Sequence, residues 1–85
     1  MPRVEIYTKF LCPYCSRAKA LLAKKNVSFE ETDITMDLVA RKAMVARAGG
    51  QATVPQIFIN GTHIGGCDEM FALDASGKLD PMLAG

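Results

Sequence analysis

Val4-Glu5-Ile6-Tyr7-Thr8-Lys9-Phe10-Leu11-Cys12-Pro13-Tyr14-Cys15 is the stretch on which the fold turns. Val4 to Thr8 is rich in β-branched and aromatic residues and reads as a short strand. Lys9 to Cys12 reads as a loop. Pro13 stands where a first helical residue is favoured, because its missing N–H would have no partner there anyway. Tyr14, Ala18, Leu21 and Leu22 then recur at i, i+4, i+7 and i+8. That spacing predicts one apolar stripe of a helix running to about Lys25 and ended by Asn26.

Outward from this start, Val27 to Glu31 reads as a second strand with Val27 and Phe29 on one face. A second helix is expected over Met36 to Ala48, with Val39, Ala40, Ala43 and Met44 inward, stopped by Gly49-Gly50. Gln56-Ile57-Phe58-Ile59 and Thr62-His63-Ile64 flank Asn60-Gly61, the dipeptide that a two-residue type I′ hairpin turn prefers. After Gly65-Gly66, Asp68 reads as the N-cap of a helix through Leu73, which Gly77 terminates. Asp80-Pro81 repeats the cap-then-proline pattern for a short last helix. The order is β-α-β-α-β-β-α. A strand–helix–strand start requires a right-handed crossover and parallel pairing, and the hairpin adds an antiparallel pair. The expected class is α/β, a mixed four-stranded sheet flanked by helices.

Length and composition set the frame. The chain has 85 residues, 49% hydrophobic and 22% charged, which is folded rather than disordered composition. Residues 1–85 are read as a single domain. A chain of this size buries only ~60–65% of its unfolded surface, so its core must be efficient. A net charge of +1 offers no general attraction to nucleic acid or to a membrane. The opening MPRVEIYTK carries charges at Arg3, Glu5 and Lys9, unlike a signal peptide, and nothing approaches the ~20 apolar residues of a transmembrane helix. Three cysteines, Cys12, Cys15 and Cys67, do not make a disulfide framework. They fit a reducing compartment, the cytosol, where a C-x-x-C pair is redox-active or binds a metal.

The chemistry sits at Cys12-Pro13-Tyr14-Cys15, after a strand and at the start of a helix. A thiol is a weak nucleophile until it ionises, and a helix N-terminus offers unpaired N–H groups and a positive dipole end to a thiolate. Cys12 occupies that position, with the positive charge of Lys9 nearby, and reads as the attacking thiol. Cys15, one turn in and more shielded, reads as the resolving one. The competing reading is zinc, for which the remaining ligand candidates are Cys67 and His63. Their plainer readings are a packed thiol and a half-exposed strand residue.

Two further features stand near this pair. Thr53-Val54-Pro55 reads either as a proline at a strand start or as a cis-proline segment. In the second case the Val54 N–H and C=O are free to pair with an extended peptide. Gly65-Gly66-Cys67-Asp68 is either a tight turn or a concave set of N–H groups suited to a carboxylate.

Together, Tyr7-Thr8-Lys9, Cys12-Pro13-Tyr14-Cys15, Thr53-Val54-Pro55-Gln56-Ile57-Phe58-Ile59 and Ile64-Gly65-Gly66-Cys67-Asp68 make the chain resemble the dithiol glutaredoxins of the short bacterial type. The resemblance runs from Val4 to about Leu83. It implies a thioredoxin-like fold and a glutathione-dependent thiol–disulfide oxidoreductase, with no permanently bound cofactor or metal. It also implies a glutathione site. Lys9, Tyr14 and Gln51 would meet the glycine carboxylate end, with Arg47 as a substitute for Gln51. Thr53, Val54 and a cis Pro55 would pair with the cysteine moiety, and Gly66, Cys67 and Asp68 would hold the γ-glutamyl end.

By the same resemblance, Cys12 attacks a protein disulfide or a protein–glutathione mixed disulfide. Cys15 resolves the dithiol route, and glutathione regenerates the enzyme. Glutaredoxins as a class lie at roughly −200 to −230 mV, close to the cytosolic glutathione pool. The implied partners are glutathione and disulfide-containing or glutathionylated proteins such as ribonucleotide reductase, met by a monomer. The alternative within the resemblance is a carrier of a glutathione-ligated iron–sulfur cluster. Relatives of that kind usually carry Ser or Gly where Pro13 stands.

Overall fold

The computed structural model describes residues 2–84. Among them run β1 (Val4–Thr8), α1 (Pro13–Lys24), β2 (Glu30–Asp33), α2 (Leu38–Arg47), β3 (Gln56–Ile59), β4 (Thr62–Gly65), α3 (Cys67–Ala75) and α4 (Leu79–Ala84). The strands form one mixed sheet in the order β2-β1-β3-β4. β1 pairs parallel with β2 and antiparallel with β3, and β3 pairs antiparallel with β4. This is the thioredoxin-like α/β sheet expected from the element order.

Side-chain alternation along the two central strands builds two cores. Val4, Ile6, Ile57 and Ile59 face α1, α3 and α4, joined by Ala18, Leu22, Met70 and Leu79. Tyr7 and Phe58 face the other way, against Met44 and Ala48 of the α2 segment and Ile34. A period of two sends neighbouring residues to opposite faces, so a strand covered on both sides must be apolar throughout. β3 fits from Ile57 onward: all of its residues are buried, and Gln56 at its start is the polar one.

The helix ends follow their caps. α1 closes with Asn26 at φ 58°, while Val27 N–H bonds Leu22 C=O at 3.2 Å and Asn26 N–H bonds Ala23 C=O at 3.0 Å. These two bonds make a Schellman motif. Asn60 and Gly61 both hold positive φ, 51° and 81°, as the type I′ turn requires. Beyond that turn, Ile57 pairs with Gly65 while Phe58 pairs with His63, which leaves Ile64 as the extra residue of a bulge.

Several details differ from the sequence reading. The second strand lies at Glu30–Asp33 rather than Val27–Glu31. Val27 and Phe29 do pack on the core, but the ladder to β1 starts at Glu30. Strand pairing, not hydrophobicity, selects an edge strand, and its exposed acidic side chains discourage a further strand from adding there. α2 begins at Leu38 because the Asp37 carboxylate accepts the Ala40 N–H at 2.9 Å.

The inward face of α2 differs as well. Val39 and Ala43 are exposed, and Met44 and Ala48 carry the contact. On α1, Tyr14 is half exposed and Cys15 takes its place in the inward stripe. Gly66, not Asp68, caps α3. α4 begins at Leu79, which is fully buried, so Asp80 lies within its first turn.

The corrected faces are checked by a pair of truncations. Leu22→Ala should lower stability by about 2–5 kcal/mol, because it leaves a cavity under α1. Val39→Ala should stay within about 0.5 kcal/mol, as an exposed change does. Urea melts of both variants measure this, and a large loss at Val39 would show that α2 is rotated from the face described.

Candidate active site

The site lies where β1 ends and α1 begins. Leu11 holds φ 56°, a left-handed conformation uncommon for leucine. This turn delivers Cys12 to the N-cap of α1 with an extended backbone. The Cys12 sulfur accepts the Cys15 N–H at 3.2 Å, doing with sulfur what Ser or Asp oxygen does at most caps. The same thiol lies 4.0 Å from the Val54 carbonyl oxygen, which ties the helix start to the segment before β3.

The two sulfurs differ in setting. Cys12 is partly exposed and Cys15 is 2% exposed, and both are unbridged. Burial first, and then the hydrogen bond with Cys12, push the Cys15 thiol up to about 12. A hydrogen bond from the Lys9 backbone and the positive charge of Lys19 work in the opposite direction. Lys19 is held close by Glu31, whose carboxylate it meets at 3.0 Å and which also accepts the Thr8 hydroxyl at 2.7 Å. That hydroxyl, and then Lys19, hold the Glu31 carboxyl below its ordinary range. Cys67 is also pushed up, mainly by burial and then by the charge of Asp68.

A groove of about 350 Å³ opens beside Cys12, lined by Tyr14, Thr53, Val54, Pro55, Gly66, Cys67, Asp68 and Glu69. Its size falls at the lower end of small-molecule sites, ~300–1,000 Å³. The Val54–Pro55 bond is cis. Among the described residues the Val54 N–H has no hydrogen-bond partner. On the far wall, the first-turn N–H groups of α3 lack intrahelical acceptors, as at any helix start. Glu69 reaches back to the Gly66 N–H at 2.7 Å. That fold-back needs bare glycine, since a Cβ on Gly65 would meet Glu69 Oε1 at 2.8 Å, at a φ of 115°.

Thus the structure gathers all but two of the expected glutathione-site residues around one groove. Lys9 lies instead in a second hollow on the other side of Cys12, with Phe10, Leu11, Cys15 and Lys19. Gln51 is not on the groove's lining; it is exposed, and its Oε1 accepts from Gln56 Nε2 at 3.3 Å. The substitute Arg47 is committed elsewhere. It bonds both Glu5 carboxylate oxygens at 3.0 Å and the Tyr7 hydroxyl at 3.1 Å, and stacks 4.1 Å over the Phe58 ring.

Glu69 was not singled out from sequence, although a G-x-x-E spacing at a helix start is the one-sided form of a capping box. Nor was Leu11, whose φ has no sequence signature. Among the described residues, no three His, Cys, Asp or Glu side chains cluster as a metal site. His63 gives its Nε2 to Gln56 at 2.6 Å rather than joining Cys67. None of the described helices is long and apolar enough to cross a membrane.

The glutaredoxin family profile matches residues 4–64, a span holding the cysteine pair, the Thr53–Pro55 segment and the hairpin. The chain belongs to the glutaredoxin family. It is 59% identical over 83 residues to glutaredoxin 3 of Escherichia coli (strain K12), covering 98% of this chain and 99% of that one. A buckwheat glutaredoxin solved as its glutathione complex superposes with a TM-score of 0.88 at 34% identity, over 98% of this chain and 77% of that one. The solution structure of a Brucella melitensis glutaredoxin gives 0.83 at 51% identity, over 95% and 87% of the two chains. With Cys12 and Cys15 paired at the helix start, this glutaredoxin is a thiol–disulfide oxidoreductase.

Burial of Cys15 has a consequence for stability. An unfolded cysteine ionises near 9.0 and the native Cys15 only toward about 12. Between those values the native chain keeps a proton that the unfolded chain has released, so stability is intact below pH 9 and falls as pH rises through the window. Cys15→Ala should therefore flatten the decline between about pH 8 and about pH 10.5. Urea midpoints of both proteins across that range test it, and equal declines would show that Cys15 is not the source.

Proposed function

We propose that this chain is a glutathione-dependent oxidoreductase that reduces protein disulfides and protein–glutathione mixed disulfides, with residues 1–85 acting as one domain. The observation that carries this reading is the groove beside Cys12. An extended thiol peptide laid along it would find the Val54 N–H and C=O for its own backbone. A carboxylate at one end would meet the α3 start at Cys67 and Asp68, where unpaired N–H groups and the helix dipole favour negative charge. Asp68, exposed on the same rim, would take the adjacent ammonium of a γ-glutamyl group. Tyr14 covers the other end. Glutathione is a co-substrate here, not a resident cofactor. The glutathione complex of the buckwheat relative supports the assignment.

The steps follow from the two sulfur environments. Cys12 as thiolate attacks one sulfur of the substrate disulfide, forming a mixed disulfide on Cys12 and releasing the other sulfur as thiolate. In the dithiol route, Cys15 gives up its proton and attacks the Cys12 sulfur. The Cys12–Cys15 disulfide forms, the second substrate thiolate leaves, and two electrons have passed to the substrate.

In the monothiol route, Cys12 takes the glutathionyl group itself and the protein thiol departs. One glutathione then displaces Cys12 and yields glutathione disulfide, whereas the Cys12–Cys15 disulfide consumes two. Burial of Cys15, with its hydrogen bond to Cys12, keeps the resolving thiol protonated until Cys12 carries its partner. The unbridged thiols suit a reducing compartment such as the cytosol, and the enzyme is proposed to act as a monomer.

The test is a coupled assay with glutathione, glutathione reductase, NADPH and a small glutathione mixed disulfide. NADPH loss should depend on Cys12, and Cys12→Ser should abolish it. Cys15→Ser should keep most of this deglutathionylation while losing reduction of protein disulfides. A folded, fully reduced wild-type chain with no turnover would sink the glutathione reading. A Cys15→Ser variant dead in both assays would reverse the two roles.

A further inference from the structure

The buried Gln56 amide is not used by the chemistry above, yet two of its bonds reach Thr53, in the segment that forms one wall of the groove. Gln56 is the first residue of β3 and 1% exposed. Its Nε2 donates to the Thr53 carbonyl at 3.0 Å, to the Thr53 hydroxyl at 3.2 Å and to Gln51 Oε1 at 3.3 Å. Its Oε1 accepts from His63 Nε2 at 2.6 Å. The Thr53 carbonyl can only accept, so the amide nitrogen of Gln56 must face it. The amide oxygen then faces His63, which must carry its proton on Nε2. The His63 ring is itself braced against Phe58, with centroids 5.0 Å apart.

The Thr53 carbonyl and the Val54 N–H belong to one peptide unit, which is planar and trans. In such a unit C=O and N–H point in opposite directions. Drawing the Thr53 oxygen inward onto Gln56 therefore aims the Val54 N–H outward, away from the interior. That N–H is the donor left without a partner beside Cys12.

We infer that Gln56, oriented by His63, is a positioning residue that sets the direction of the Val54 N–H for an extended thiol peptide. This rests on the glutathione reading for the identity of that peptide. Gln56 does not touch the reacting sulfurs. It fixes one peptide plane, and so acts on substrate binding more than on the exchange step.

Gln56→Met keeps length and volume but removes the donors. It should raise KM for the glutathione mixed disulfide by about 5- to 20-fold, the scale of one hydrogen bond, with kcat within about twofold. His63→Leu should move KM in the same direction from the far end of the relay, and His63→Gln, which restores a donor, should recover much of it. Alkylation of Cys12 by iodoacetamide should be unchanged in all three.

A second measurement does not depend on turnover. In ¹⁵N relaxation of the reduced proteins, the Val54 amide should become more mobile in Gln56→Met and His63→Leu, while Ile57 to Ile59 stay rigid. Unchanged KM in the two disrupting variants, or a Val54 amide as ordered as in the wild type, would overturn the inference. Loss of glutathione turnover in the wild type itself would instead reject the function, and the Val54 amide would still decide the positioning role.

Discussion

Antiparallel pairing of β3 with its neighbours on both sides is the constraint from which the site follows. Tyr7 stands opposite Gln56, and Ile57 opposite Gly65. The end of β1, the beginning of β3 and the end of β4 therefore lie along one edge of the sheet. Each continues into a segment that matters: Lys9 to Cys12, Thr53 to Pro55 backwards along the chain, and Gly66 into α3. A shift of one residue in the β1–β3 register would send Ile57 and Phe58 to the wrong faces. It would also carry Val54 away from Cys12. The same alternation that buries the core thus meters the distance between the sulfur and the groove wall.

Much of this was legible in the chain, and for identifiable reasons. Strand, cysteine pair and helix follow one another without a gap. Asn60-Gly61 can scarcely be other than a tight hairpin, and Gly49, Asn26 and Gly77 mark helix ends by their left-handed backbone. What escaped was decided by partners distant in sequence. β2 is polar because it is an exposed edge, so neither periodicity nor propensity reports it. The inward face of α2 is set by what Met44 and Ala48 pack against, Tyr7 and Phe58 of the sheet, and that leaves the apolar Val39 outward.

The site divides in the same way. Tyr14, Thr53, Val54, Pro55, Gly66, Cys67 and Asp68 come together at one groove. Gln51 and Arg47 were assigned by position and charge, and both spend polar groups on other side chains of the protein instead. Electrostatics within the cysteine pair depends on depth. Cys12 and Cys15 are three residues apart, but one caps the helix at the surface and the other is closed beneath it. The Thr8–Glu31–Lys19 cluster brings a side-chain cation to bear on Cys15, and anchors it through a buried hydroxyl.

The sulfur that does the exchange is also the atom that closes the first turn of α1. An anionic sulfur accepts the Cys15 N–H well, and a disulfide sulfur accepts it poorly. The start of the helix and the redox state of Cys12 therefore share one hydrogen bond. Folding and electron transfer are then linked quantities. Every fraction of a kilocalorie that the cap contributes to the reduced fold appears, with opposite sign, in the ease of forming the oxidised one. The protein's redox poise is written partly in the mechanics of a helix end.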